Sequence, residues 1–479
     1  MGNDHQTRNR RSPAAFAKRA LAIIAWLVIW QLIAVALGNP WLLSGPVETA
    51  RTWGQLVLTA SFWQAIASSI ARIAIGYGIA FVAGCVLGYL AAKLPGLRTF
   101  LKPAILVVKS APIVCVIALL LVAAGSHVTT AIVVGLVVFP QFYHAVMEAA
   151  LARDSEVDKI LEVFGVSSMR RALCVEFVAF GASIRAATAT AAGLAWKSGV
   201  AAELIGLPGI SIGEGVYLAK ISLDSASIIA WTATVIVLSW LSEKLLIRLV
   251  DAVMKLPRHW LATRVRTAMA AKDVDVPVTT ATPAGLRIEG LARVYNTDDG
   301  TPLRLDYEDL TIAAGARLCV MAPSGAGKTT LLSMVAGIER PSAGTIAHDD
   351  GQTPAMAAVL QDCTLLPWAS ALENIALVAK DASEIRYGAR LCRAMLDEEA
   401  LAKPARALSG GMRRRAELAR ALAHPSSLVI LDEPFAGLDA ATKERCTRVI
   451  DDELDGRTLI IATHDEKDAR ALGCDIARL

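Results

Sequence analysis

Ala322-Pro-Ser-Gly-Ala-Gly-Lys-Thr-Thr330 decides the fold of the C-terminal part of the chain. It follows a strand-like run, Arg317–Met321, and leads into an apolar helix from Leu331. Strand, glycine-rich turn and helix in that order make a phosphate-binding loop. Across Ser324, Gly325, Ala326 and Gly327 the backbone N–H groups can curl around phosphate oxygens, and the helix N-terminus adds the positive end of its dipole. Lys328 is placed to reach the β- and γ-phosphates of a nucleotide, Thr329 to ligate magnesium through its hydroxyl, and Thr330 to continue the cradle. One position departs from the Gly-x-x-x-x-Gly-Lys-Ser/Thr pattern. Ala322 stands at its first glycine, and an alanine there is costly if the backbone needs φ > 0.

Four further elements surround the loop's chemistry, in a fixed order. Gln361 sits in Val359-Leu-Gln-Asp362, ahead of Leu365-Leu-Pro-Trp368. Leu408-Ser-Gly-Gly-Met412 comes next, with Ser409, Gly410 and Gly411 at its centre. Leu428-Val-Ile-Leu-Asp-Glu433 ends an apolar strand on two carboxylates, Asp432 and Glu433, and is followed by Gly437-Leu-Asp439. Leu459-Ile-Ile-Ala-Thr-His464 ends another strand on a histidine. Strand ends carry the site residues in open α/β sheets, so these groups can converge on one nucleotide. Arg413, Arg414 and Arg415 read as a solvated or interface helix face.

Outward from this core, the composition changes near residue 256. Hydrophobic residues make up 54% of the 479 and charged residues 19%, with mean hydropathy +0.48. That is too apolar for a wholly soluble protein of two or three domains. The net charge of +4 gives no reason to expect nucleic acid as a partner. Three parts result: a membrane-embedded helical domain (1–255), a linker (256–285) and a soluble α/β domain (286–479). The eight cysteines form no CxxC pair and read as small buried hydrophobes in a reducing compartment.

Six spanning segments are expected, at 20–37, 64–92, 103–124, 128–149, 182–204 and 226–250. Gly76, Gly78, Gly84 and Gly88 would let the second pack closely on a neighbour. Lysine and arginine cluster before the first span, between the second and third, between the fourth and fifth, and after the sixth. Both termini are then cytoplasmic. The first span has a rival reading as a cleavable signal peptide ending at Ala34-Val35-Ala36, which leaves an odd span count. Segment 46–60 reads as an amphipathic helix on the outer surface.

Residues 150–181 suggest a helix from Ser155 to Phe164, a turn at Gly165 and a second helix from Met169 to Phe180, able to dock on another domain. Arg72, Lys109, Arg185, Lys197 and Glu203 lie in or beside spans. Such charges face cavities, partners or the interface. Lys109 and Lys197 either line a substrate path or snorkel. The linker reads as a basic stretch lying on the inner leaflet, followed by a flexible tether from Lys272 to Gly285.

Taken together, the motifs of 286–479 resemble those of the ATP-binding-cassette (ABC) transporters, with Leu408-Ser-Gly-Gly-Met412 similar to that family's signature. The resemblance implies an α-helical transmembrane domain fused to an α/β P-loop NTPase domain of ABC type, binding ATP and Mg2+. It implies that Asp432 holds the magnesium shell, with Thr329 and Gln361, and that Glu433 is the general base for the attacking water. Gln361 would couple the metal and water to the membrane half, and His464 would contact the γ-phosphate. Asp439 would lie at a dimer seam. Ser409 and Gly411, with Gly410 between them, would bind the γ-phosphate of the nucleotide held by the opposite subunit. Tyr295 matches the aromatic that stacks on adenine; a packed aromatic is the alternative.

The stretch from Leu161-Glu-Val-Phe-Gly-Val-Ser167 to Cys174, and then Gly193-Leu-Ala-Trp-Lys-Ser-Gly-Val-Ala-Ala-Glu-Leu-Ile-Gly206, resembles importer permeases of the nitrate/sulfonate/taurine group. Leu365-Leu-Pro-Trp368 resembles cassettes of the same group. Lys159-Ile-Leu stands where the loop motif has an acidic residue and two alanines, and the later proline is absent. The resemblance implies a fused permease–ATPase, an ATP hydrolase coupled to transport in the cytoplasmic (inner) membrane. It further implies a homodimer, a separate extracytoplasmic solute-binding protein and a small, anionic solute. A half-size exporter and a non-transporting mechanotransmitter share the ATP chemistry and remain alternatives.

Overall fold

The computed structural model describes residues 13–39, 41–152, 155–270, 282–296, 302–323, 325–349, 351–362 and 364–479. It divides into two units, one of residues up to Ala152 with Phe180–Val253, the other of Arg153–Ala179 with Met254–Leu479. The sequence division differs in two places. The docking segment belongs to the second unit. So does the first half of the expected linker, the basic stretch, which forms a helix; residues 271–281, where most of the expected tether falls, lie outside the described residues.

The first unit is helical: α1 (Pro13–Leu37), α2 (Pro46–Val57), α3 (Ala60–Lys93), α4 (Pro95–Ser110), α5 (Ile113–Ala124) and α6 (Ser126–Leu151). Four helical stretches are long and apolar enough to cross a membrane: α3, α6, Ser168–Gly206 and Ser225–Ala270. The bent pair α4 and α5 adds a fifth if it counts as one span, while the apolar part of α1, Leu21–Leu37, is shorter than that test requires. The expected six are therefore matched at four or five among the described residues. The third expected span, 103–124, is broken by 102° at Ala111-Pro112, where proline lacks the N–H that would continue the helix.

Gly76, Gly84 and Gly88 face α6. A Cβ at Gly84 would lie 2.9 Å from the Phe139 carbonyl oxygen, and one at Gly88 would lie 2.5 Å from that of Tyr143. Gly78 faces open space instead, because two residues along a helix turn the side chain to the opposite side. Segment 46–60 does form a helix, α2, whose Trp53 indole donates to the Thr234 hydroxyl at 3.0 Å. The fully buried Glu203 accepts from Ser69 Oγ (2.6 Å), Arg72 (3.0 Å) and the Gly213 N–H (3.3 Å). Arg185 pairs with Asp251 at 3.0 Å.

In the second unit, α7 (Ser155–Val163) ends at Gly165, which takes φ 65°, a left-handed turn suited to glycine. The second docking run is not a free helix. α8 (Ser168–Arg171) and a π-turn (Ala172–Glu176) run straight into α9 (Phe177–Gly206). The helical part of the first unit continues with α10 (Ile212–Ile221) and α11 (Ser225–Met254). α12 (Leu256–Ala270) then buries Leu261 in the core shared by α7 and the α/β domain. Its Arg264 donates to the carbonyls of Ala379 (2.9 Å) and Lys380 (3.2 Å), so this part of the basic stretch is spent on the cassette.

Two sheets follow. β1 (Leu286–Asn296) pairs antiparallel with β2 (Pro302–Asp306), β3 (Leu310–Ile312) and β5 (Ala343–His348). The second sheet is parallel, in the order β6 (Met356–Val359), β7 (Leu428–Asp432), β8 (Thr458–Ala462), β4 (Arg317–Met321) and β9 (Asp475–Arg478). Strands β6, β7 and β8 are buried throughout, as expected for a sheet covered on both faces. The helices of this domain are α13 (Lys328–Val335), α14 (Ala371–Val378), α15 (Ala382–Met395), α16 (Glu398–Ala402), α17 (Gly410–Ala423), α18 (Ala440–Leu454) and α19 (Glu466–Ala471); α13 packs on β7 and β8, and α17 on β6.

Candidate active site

The carboxyl ends of β4, β6, β7 and β8 lie side by side in the parallel sheet, and each carries at least one of the expected groups, β7 both Asp432 and Glu433. β4 runs into the phosphate loop and α13. Gly325 and Gly327 take φ 85° and 90°, which only glycine adopts without strain. Ala322 is not among the positive-φ residues, so the alanine at the first glycine position costs nothing in the backbone. Ser324 lies outside the described residues.

Lys328 Nζ donates to the carbonyls of Ala322 (2.6 Å) and Pro323 (3.3 Å), holding the loop closed on itself. Thr329 Oγ1 donates to Asp432 at 2.6 Å and to the Gln361 side-chain oxygen at 3.3 Å. Those three residues gather oxygen donors from three strand ends. Burial pushes the Asp432 carboxyl above its ordinary range, opposed by the Thr329 hydrogen bond and the nearby Arg414. The Glu433 carboxylate lies 3.0 Å from His464 Nδ1. Glu433 itself sits at φ 46°, a left-handed conformation that is strained for a side chain of this size.

A cleft of about 380 Å³ is lined by Tyr295, Gly325, Gly327, Lys328, Thr329, Thr330, Gln361, Asp432 and Glu433, together with Leu303 and Leu305. The Tyr295 hydroxyl is 3.1 Å from Thr330 Oγ1 and donates to Glu339 at 2.8 Å, which fixes its ring at the cleft edge. Gly410 lines an adjoining cleft with Gln361, Glu433 and His464. Ser409, Gly411 and Asp439 line neither cleft. Ser409 caps α17 by accepting from the Met412 N–H, and Asp439 caps α18 by accepting from that of Thr442. The Ala326 N–H bonds to the Pro323 carbonyl at 3.3 Å.

Two residues that sequence reasoning passed over support this arrangement. The Tyr307 hydroxyl donates to the Gly327 carbonyl at 3.0 Å, and burial pushes its pKa up to about 12. Arg414, read from sequence as part of a solvated or interface face, is buried. Its guanidinium donates to the carbonyls of Leu360, Asp432 and Glu433, the last at 3.0 Å, and lies 3.5 Å from Glu417. Glu417 in turn accepts from the Thr364 N–H at 2.6 Å, and Arg420 donates to the Thr364 carbonyl at 2.9 Å. The three-residue spacing of Arg414, Glu417 and Arg420 was the available signal, but an exposed charged face has the same spacing.

The family model for ABC transporters matches residues 305–436. The chain is 37% identical over 220 residues to the aliphatic sulfonates import ATP-binding protein SsuB 2 of Xanthomonas axonopodis pv. citri, covering 44% of this chain and 72% of that protein. It is 36% identical over 203 residues to the bicarbonate transport ATP-binding protein CmpD of Synechococcus elongatus, covering 38% of this chain and 71% of that one. A solved bacterial ABC transporter cassette, described as dimeric, is 28% identical, with 40% of this chain and 94% of that chain covered and a TM-score of 0.37. The phosphate loop, the paired carboxylates and relatives matched over most of their length agree: the chain belongs to the ABC transporter family, a membrane protein whose cassette binds ATP and couples its hydrolysis to transport.

Proposed function

We propose that the chain is an ATP-driven importer of a small anion, acting as a homodimer in the cytoplasmic membrane with six spans and both termini inside. The reading is carried by the convergence of Lys328, Thr329, Gln361, Asp432, Glu433 and His464 at strand ends, in a chain whose other unit is built of apolar helices. The names of the relatives, sulfonate and bicarbonate transport proteins, support a small oxygen-rich anion as the solute. A separate extracytoplasmic solute-binding protein delivers it.

The nucleotide lies with its base on Tyr295 and its phosphates over the N–H groups of the loop from Ser324 to Thr330. Lys328 exchanges its loop carbonyls for the β- and γ-phosphates. Thr329, Asp432 and Gln361 offer only oxygen donors, a set that suits Mg2+, which takes one or two carboxylates and completes its shell with phosphate and water. A Mg2+ ion held by these residues would supply positive charge to offset that building on the phosphate oxygens. Glu433 accepts the proton of the water that attacks the γ-phosphorus. His464, 3.1 Å from the Glu433 carboxylate, orients it and would contact the γ-phosphate. Ser409, Gly410 and Gly411 of a second copy close over that phosphate, with Asp439 at the seam. Closure moves the docking segment 153–179, which is packed into the cassette unit.

Glu433→Gln keeps the size of the side chain and removes the base. In vesicles loaded with ATP and supplied with the solute-binding protein, this variant should bind ATP with wild-type affinity. Its uptake of a labelled sulfonate should fall to background. Uptake at the wild-type rate would remove Glu433 from the mechanism.

A further inference from the structure

We propose that the break between α4 and α5 is a binding site for a small oxyanion, with the Lys109 ammonium as its positive charge and the Gln141 amide as its hydrogen-bond donor. The inference rests on the importer reading and specifies where in the helical unit the solute is held.

α4 carries Lys109 in its last turn, and the chain then bends by 102° before α5 begins at Ile113. The bend opens a cavity of about 380 Å³ between the two half-helices, α6 and Leu194 of α9. Its walls are aliphatic, with Val107, Val116, Leu136 and Val137 among them. Lys109 and Gln141 are the side chains there with strong hydrogen-bonding groups. Among the described residues neither side chain makes a hydrogen bond or an ion pair.

Two acidic groups of this unit are already paired elsewhere: Glu203 with Arg72, and Asp251 with Arg185. Lys197, the other lysine singled out in the sequence, does not line this cavity.

The Lys109 side chain is exposed beside these aliphatic walls, and no acidic side chain lines the cavity, so its ammonium is the positive charge of the site. It attracts a small anion and repels a cation. The ammonium offers three donors and the amide two, matching the several acceptor lone pairs of a sulfonate, nitrate or bicarbonate. The volume lies within the range that holds a compact solute. Broken helices are also how a membrane protein exposes backbone and polar groups to a solute without exposing them to lipid. The same chemistry would hold the phosphate of a lipid headgroup, so the test separates the two sources.

The full-length chain is placed in nanodiscs of phosphatidylcholine alone, with Val137→Cys as a reporter in the cavity wall. Anionic sulfonatoethyl and cationic trimethylammonioethyl methanethiosulfonates compete for that thiol, and peptide masses give the ratio of products. The anionic reagent should win by at least about tenfold. Lys109→Met should abolish that preference and Lys109→Arg should keep it. Ethanesulfonate should slow labelling with Lys109 present and have no effect in Lys109→Met.

The same product ratio in the Lys109 and Lys109→Met chains overturns the site. Slowing seen only when phosphatidylglycerol is added assigns it to a lipid headgroup and overturns the solute reading. If Val137→Cys does not elute as folded protein, Val116→Cys reports on the same cavity from α5. Labelling needs neither ATP hydrolysis nor the solute-binding protein. Import without charge preference therefore defeats this site alone, and charge preference without import defeats the importer reading alone.

Discussion

Glu433 is held in a backbone conformation that glycine prefers, and Arg414 is the side chain that braces it. Its guanidinium reaches the carbonyls of Asp432 and Glu433 on one strand end and of Leu360, the neighbour of Gln361, on another. Arg414→Met should lower kcat for ATP hydrolysis about tenfold, which corresponds to about 1.4 kcal/mol in the barrier, with KM for ATP nearly unchanged. The variant also leaves Glu417 as an uncompensated buried charge. Adding Glu417→Gln, which removes the charge and keeps an oxygen to accept from the Thr364 N–H, should therefore recover the thermal midpoint without recovering kcat; recovery of both would make Arg414 a purely structural residue. The groups that converge at the strand ends were legible in the sequence, because the phosphate loop and the strand-end carboxylates and histidine stand in recognisable local patterns. Arg414 and Tyr307 were not, since each acts on a backbone carbonyl about twenty residues away and no side-chain pattern records such a bond. The concern over Ala322 came from the pattern alone and vanished with its φ.

At the scale of elements, the docking segment meets the cassette through Phe164. Its ring stands edge-on to the His424 ring at 5.2 Å, and the Arg420 guanidinium lies over it at 4.9 Å. Burial lowers the His424 pKa to about 4, with Lys380, Arg457 and Arg420 adding to the effect. An unfolded histidine takes up a proton near pH 6.5, whereas this one resists until about 4. The stability gained by keeping it neutral is complete above the unfolded value and is lost as the pH falls through that window. Urea unfolding of the full chain should show a loss on the order of 2 kcal/mol between pH 7 and 5. His424→Gln should flatten that slope, and an unchanged slope would assign it to other groups. The turn at Gly165 and the helix before it were readable from local chemistry. The fate of the second run was not, because whether a helix stops at Phe180 or merges with a span depends on packing beyond it. The break at Ala111-Pro112 had a signal in its proline, but the extent of the bend did not.

At the scale of the whole molecule, the proposed sharing of the ATP site between two copies makes a strong demand. A chain with Lys328→Ala and a chain with Ser409→Arg should each be inactive alone. In a random mixture half the dimers are mixed, and each of those carries one intact site. Roughly a quarter of the wild-type ATPase rate should return; no return would mean that each chain builds its site alone. Within the helical unit, the glycines of α3 bring its backbone against the carbonyls of α6 with no side chain to act as a cushion. Two rods touching in this way cannot slide or roll without one backbone climbing over the other. They form a stiff frame. α4 and α5 are strung between them in the sequence, joined at Leu94 to the end of α3 and at Gly125 to the start of α6. The elbow at Ala111-Pro112 is therefore a door hung on both sides of one jamb. Tied at both ends to one stiff frame, it can swing more readily than it can translate, so the anion proposed to sit there would be reached by rotation of the half-helices.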